Sequence, residues 1–172
     1  FIGWAYKRGH IEHDIGMLLQ RAGKERSRDR TPSLDEVKAI WSASFKMGPL
    51  WGPYIRLCIL TGQRCRSDVL LMQWSWIDFV NSCYEIPNPK NGKAHIVHLS
   101  APAINELTEL KKLKDKRPSR FVFTTTGKTG ASGVSKAKLL LDKYIQAAWR
   151  KSRFEPWVLH DLRRSQATAL AE

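Results

Sequence analysis

The chain has 172 residues, 42% hydrophobic and 26% charged, a globular composition that excludes a disordered basic tail. It carries 29 Lys+Arg against 16 Asp+Glu, and the resulting +13 points to a polyanionic partner, nucleic acid first. No apolar run approaches the ~20 residues of a membrane span, and three cysteines without a CxxC pair fit a reducing, cytoplasmic setting better than a disulfide framework.

Residues 1–22 read as the end of a preceding helical domain, with Ile2, Trp4, Ile11, Ile15, Leu18 and Leu19 as its buried positions. Residues 23–32 contain no apolar side chain and alternate in charge, which predicts a basic linker over the surface. Ser33 and Glu36 have capping-box spacing, and Leu34, Val37, Ile40 and Trp41 repeat at helical intervals, so a new unit starts at Ser33. Pro49 and Pro53 suit a helix start, Tyr54 to Leu60 is apolar, and Gly62 breaks the run before a second helical stretch over 63–72. Strand patterns follow at 76–80, 83–86 and 94–99, the last two joined by an Asn91-Gly92 turn. Ser100 and Pro102 open a helix with Ile104, Leu107, Leu110 and Leu113 on one face. A short strand is expected at 121–123, a Gly/Thr/Ser/Lys loop to 135, a helix over 136–149 and a last helix from about His160. The fold class is therefore mainly α with a small three-stranded antiparallel sheet (α+β), and the tryptophans read as core residues rather than a base-stacking platform.

The charge is uneven. Residues 1–85 hold 12 basic and 9 acidic side chains, whereas 86–172 hold 17 and 7. Three clusters within this pattern are suited to an anion. Arg64 emerges after Gly62 at a predicted helix start, where free N–H groups favour a phosphate, with Asp68 one turn along to hold its guanidinium. Lys90 and Lys93 flank the hairpin turn, where an ammonium can swing onto a phosphodiester. His160 and Arg163, three apart, share a helix face directed at one point. Taken alone, each cluster has a commoner structural reading: a surface Arg–Asp helix pair, a solvated turn lysine and a satisfied core histidine. Carboxylates are too few and scattered for a two-metal nuclease, and no P-loop, GxGxxG turn or GxSxG elbow occurs.

The order of these clusters carries a resemblance. Arg64 and Asp68 followed by Leu71-Met72-Gln73-Trp74-Ser75-Trp76-Ile77-Asp78 resemble the first arginine box of the tyrosine recombinases, the phage-integrase family. Pro89-Lys90-Asn91-Gly92-Lys93-Ala94-His95-Ile96-Val97-His98 resembles the β-hairpin bearing that family's active-site lysine, and His160-Asp161-Leu162-Arg163-Arg164 is similar to its HxxR box. The resemblance spans 33–172 and implies a DNA breaking-and-rejoining catalytic domain. It implies that Arg64 and Arg163 clamp a scissile phosphate, His160 assists them, Lys90 protonates the leaving 5′ oxygen and Asp68 orients Arg64. Arg66 remains an alternative first arginine, because the acidic residue usually follows that arginine by three positions and here Asp68 follows Arg64 by four and Arg66 by two. The implied nucleophile is a tyrosine downstream of the HxxR box. Tyr6, Tyr54, Tyr84 and Tyr144 all lie upstream of it. The chain is thus expected to be a truncated piece that does not cut DNA alone. The implied partners are double-stranded DNA at attachment sites and further integrase subunits, with no cofactor, metal or membrane. A non-enzymatic DNA-binding remnant or regulator is the competing reading.

Overall fold

The computed structural model describes residues 1–17, 29–87, 94–114, 118–150 and 153–169. Its amino-terminal apolar spacing yields only a short helix α1 (Ile2–Lys7), because the chain turns at Gly9 with φ +70°. Trp4 and Ile15, expected to be buried, are exposed. Trp4 instead stacks between Phe1 and His10, while Ile2 and Ile11 are half-buried. Leu18 and Leu19 lie outside the described residues, as does most of the predicted linker. The described end of that linker is anchored. Arg30 bonds Glu36 and pairs with Glu155, and the Pro32 carbonyl accepts from Ser165 Oγ at 2.9 Å. Alternating charge predicts solvation; Arg30 instead has two carboxylate partners, Glu36 six residues on and Glu155 far along the chain.

The capping box forms as its spacing predicts. Ser33 Oγ accepts the Glu36 N–H, and the Glu36 carboxylate accepts the Ser33 N–H at 2.8 Å, opening α2 (Leu34–Ser44). Helix α3 (Gly48–Thr61) follows, with Pro49 in its first turn and Pro53 inside it, and packs against α2. Gly62 ends α3 in the left-handed conformation at φ +59°. A Cβ there would lie 1.4 Å from Gln166 Oε1, so strain and crowding both require glycine.

The helix expected over 63–72 shrinks to one wide π-helical turn, Cys65–Val69. The Arg64 carbonyl receives both the Asp68 N–H (2.9 Å) and the Val69 N–H (3.1 Å), which widens the turn by a residue. A 3₁₀ turn at Trp74–Trp76 replaces the start of the first predicted strand, leaving β1 (Ile77–Asp78) beside β2 (Cys83–Ile86) and β3 (His95–His98). All three are antiparallel in the order β1-β2-β3, with Tyr84 opposite Val97 and both turned to the core. Residues 121–123 form no strand. They lie along 72–74 through one bridge, Gln73 to Phe121.

Helix α4 (Ala101–Lys114) buries Ala103, Leu107 and Leu110 and packs on α3. Leu113, expected on that face, is exposed, because each three-residue step drifts about 60° around a helix of 3.6 residues per turn. Helix α5 (Val134–Ala148) buries Val134, Ala137, Leu141 and Ile145 against α2, and α6 (Leu159–Ala169) packs on α3. Of the tryptophans, Trp157 is buried, Trp4 is exposed, and the other five are half-buried, with Trp51, Trp74 and Trp149 packed against the core. Helix α3 is thus the axis that α2, α4 and α6 surround.

Two outcomes follow from this packing. Gly62→Ala is expected to destabilise the chain by about 2 kcal/mol through left-handed strain and displacement of Gln166, read as a lower thermal midpoint. Burial pushes the Glu36 carboxyl up, but the Arg30 and Ser33 hydrogen bonds outweigh it and hold it below the ordinary glutamate value. A carboxyl lowered in the folded state contributes stability above its unfolded pKa, and that contribution is lost as pH falls through the folded one. Unfolding measured between about pH 3 and 6 should therefore show a shallower acid loss in Glu36→Gln than in the parent.

Candidate active site

The site begins where α3 ends. The last carbonyls of a helix have no partner within it, and its carboxyl end attracts cations. Helix α6 supplies both needs. Arg163 donates through Nη1 to the Gly62 carbonyl at 2.9 Å and to Gln63 Oε1 at 3.2 Å, and one turn further Gln166 Nε2 donates to the Leu60 carbonyl at 3.0 Å. The Cys65 thiol donates to the Leu159 carbonyl at 3.2 Å, tying the residue after Arg64 to the residue before His160. A hydrogen bond from Cys58, opposed by burial and aided by the Arg163 charge, holds the Cys65 thiol below the ordinary cysteine value.

Arg64 stands at the head of the π turn in extended conformation and is half-buried. Asp68 is 2% exposed, and its Oδ2 accepts the Arg64 N–H at 3.2 Å while lying 3.8 Å from the guanidinium. Its Oδ1 accepts from Ser67 Oγ at 2.6 Å. The carboxylate therefore fixes Arg64 mainly through its backbone, with the guanidinium close enough to feel the charge. The π turn accounts for the four-residue spacing, since a turn one residue wider returns position i+4 to the head of the turn. Arg66 is exposed on the same turn.

Arg64, Arg66, Ser67 and His160 line one cleft of about 640 Å³ between the π turn, α5 and the start of α6. Its walls are largely apolar, from Val134, Leu139, Trp157, Val158 and Leu159. His160 is exposed there, on the first turn of α6. The buried Asp161 carboxylate accepts the Val158 N–H at 2.9 Å and so shapes that turn. Arg163 is not among the cleft-lining residues; it joins the site through Gly62 and Gln63. Lys90 lies outside the described residues, in the segment between the antiparallel strands β2 and β3. Of the six predicted positions, the structure thus gathers Arg64, Arg66, Asp68, His160 and Arg163 about one segment, 62–68.

Sequence reasoning missed three participants. Lys138 of α5 lies in the cleft with its ammonium 2.6 Å from the Asp142 carboxylate and 4.1 Å from the centre of the Trp157 ring. Trp157 donates its indole N–H to the same carboxylate at 3.0 Å, so α5 holds the strand of chain that delivers His160. Gln63 bridges Arg163 and His95, the latter at 3.4 Å. The i, i+4 spacing of Lys138 and Asp142 was readable; their meeting with Trp157 was not. Tyr54 and Tyr84 are fully buried, and burial pushes both phenols above the ordinary tyrosine value, which suits packing rather than attack on a DNA strand. Among the described residues no three His, Cys, Asp or Glu side chains cluster to hold a metal, and no helix is long and apolar enough to cross a membrane.

Residues 33–172 match the family described as "Phage integrase family". No curated protein sequence matches the chain. Several solved structures share its fold. The XerA recombinase aligns with a TM-score of 0.68 at 16% identity, over 96% of this chain and 57% of that one. A lambda integrase tetramer bound to a Holliday junction aligns at 0.61 and 24% identity, over 96% and 49%. The Tn1549 transposon integrase in complex with a circular intermediate DNA aligns at 0.65 and 13% identity, over 87% and 55%. The chain spans about half the length of these proteins.

The packing around Asp68 yields one expected outcome. Asp68→Ala strands the Arg64 N–H and the Ser67 hydroxyl, and is expected to cost about 2 kcal/mol in urea unfolding. Asp68→Asn, which keeps an acceptor, should cost less.

Proposed function

This chain belongs to the phage integrase family, and we propose that it forms the phosphate-binding part of a site-specific DNA recombinase's catalytic domain. The observation that carries the proposal is the joining of Arg64 and Arg163, from opposite ends of the domain, through the two residues Gly62 and Gln63, with His160 in the cleft alongside. The Arg163 guanidinium is held by two carbonyl oxygens and the Arg64 backbone by a buried carboxylate, which pre-organises the two arginines to share one anion, and forked N–H pairs match phosphate oxygens.

In this reading duplex DNA lies along the basic face, and one phosphodiester sits between Arg64 and Arg163. Arg64 is favoured over Arg66 because its position is fixed by Asp68 and adjoins the Arg163 contact, whereas Arg66 is exposed on the turn. A tyrosine from outside this sequence attacks phosphorus, forming a 3′-phosphotyrosyl bond as the bond to the 5′ oxygen breaks. Lys90 delivers the proton that this oxygen needs, and His160 hydrogen-bonds the phosphate as charge develops. A 5′ hydroxyl from another duplex reverses the step, so the bond energy is conserved without a nucleotide cofactor. Further subunits of the same protein supply the second duplex, and the reaction takes place where the DNA is, in the cytoplasm of a cell lacking a nucleus.

The full-length protein, incubated with a nicked substrate that loses its 5′ product, is expected to form a protein–DNA adduct stable to denaturation. Arg163→Ala should abolish the adduct while DNA affinity falls by no more than about tenfold, since the flanking phosphate contacts remain. Salt-dependent binding with no adduct under any condition would instead identify a DNA-binding remnant.

A further inference from the structure

Gln63 stands between the glycine that ends α3 and the arginine that heads the π turn, yet the phosphate-binding reading gives it no part. Its side chain and its backbone are both tied to Thr61. Nε2 donates to the Thr61 carbonyl at 3.3 Å, and its own backbone N–H is received by Thr61 Oγ1 at 3.4 Å. That leaves Oε1 as an acceptor facing two segments distant in sequence. It receives Arg163 Nη1 at 3.2 Å from α6 and faces His95 Nε2 of β3 at 3.4 Å. The flipped amide would set its NH₂ against the guanidinium N–H, so the assignment follows from Arg163 having donors only.

This arrangement has a consequence for Arg163. A guanidinium carries five N–H groups in a rigid plane, two of them on Nη1. Gly62 O and Gln63 Oε1 take the two on Nη1. Among the described residues neither Nη2 nor Nε makes a hydrogen bond, and these atoms form the edge that binds two oxygens of one phosphate in parallel. With Nη1 pinned at two points, the plane of the guanidinium and the direction of its Nη2–Nε edge are set. Gly62 alone would fix a point and leave the guanidinium free to rotate about it.

We infer that Gln63 is a positioning residue. Its side-chain carbonyl fixes the phosphate-facing edge of Arg163 and ties that edge to β3. The inference rests on the reading of Arg163 as a phosphate ligand. Both contacts to Oε1 are long for hydrogen bonds, as is common where a site tightens only around its substrate. His95 brings β3 to the same side-chain oxygen that directs Arg163.

The test uses the full-length protein and Gln63→Met, which keeps the length and volume of the side chain and removes the acceptor. In single-turnover cleavage of the nicked substrate, the variant is expected to lose about tenfold to a hundredfold in rate constant, the scale of a small misplacement at a reacting centre. The substrate concentration at half-saturation should change less than about threefold. His95→Ala should give a smaller loss that disappears in the Gln63→Met background, because both act through one atom. A second readout needs no activity. In protein labelled with ¹⁵N-arginine, the Nη protons of Arg163, assigned by their absence in Arg163→Lys, are expected as resolved signals in the parent and as one averaged signal in Gln63→Met. Wild-type cleavage by Gln63→Met overturns the inference, as does a loss that appears only in half-saturation. An unchanged Arg163 signal overturns it whether or not the parent cleaves. If the parent forms no adduct, the recombinase reading fails, and the arginine spectrum alone decides whether Gln63 orients Arg163.

Discussion

Everything at the site depends on how α6 caps the carboxyl end of α3. A helix that stops in the interior leaves carbonyls that water cannot reach, and their summed dipole draws a cation. Here the cation is Arg163 and the neutral donor Gln166, one turn apart on α6, and they take Gly62 and Leu60. The left-handed Gly62 makes this possible, since any Cβ there would occupy the place of the Gln166 amide. Folding energy and site geometry are thus the same contacts. An arginine recruited to satisfy a helix end is also an arginine whose remaining N–H groups face a fixed direction.

The same economy recurs in the π turn. Asp68 is buried, a costly place for a carboxylate, and it is matched by the Arg64 N–H, the Ser67 hydroxyl and the nearby guanidinium. A tighter helical turn would not return position 68 to the Arg64 N–H in the same way. Across the cleft, Asp142 gathers Lys138 and Trp157, so a second carboxylate-centred cluster fixes the approach to His160. Basic side chains that bind a polyanion repel one another when it is absent. Pairing the inner ones with carboxylates lets the fold hold them in place, while exposed residues such as Arg66 contribute long-range attraction.

Local patterns were legible wherever local forces decide. The Ser33–Glu36 capping box, strand β2 at 83–86 and the break at Gly62 each follow from residues within one turn of each other. The stretch 63–72 misled because its apolar spacing is helical, while the double acceptance by the Arg64 carbonyl that widens it into a π turn leaves no mark on periodicity. Residues 121–123 look like a strand, but only one bridge, Gln73 to Phe121, forms before the chain bends. The linker looked solvated because a charge run does not announce that Arg30 will meet Glu36 and Glu155. At the site, the motifs exposed Arg64, Asp68, His160 and Arg163, whereas Gln63 and Trp157 depend on partners that only the folded chain brings near. The predicted lysine, Lys90, falls outside the described residues.

In the proposed site, segment 62–68 and the first turns of α6 converge on a single phosphate. A crystal structure of the protein with duplex DNA would show one phosphodiester group within hydrogen-bond distance of both Arg64 and Arg163, with His160 beside it and Arg163 still bonded to Gly62. DNA seated on another face, or the two arginines on phosphates of different nucleotides, would contradict it.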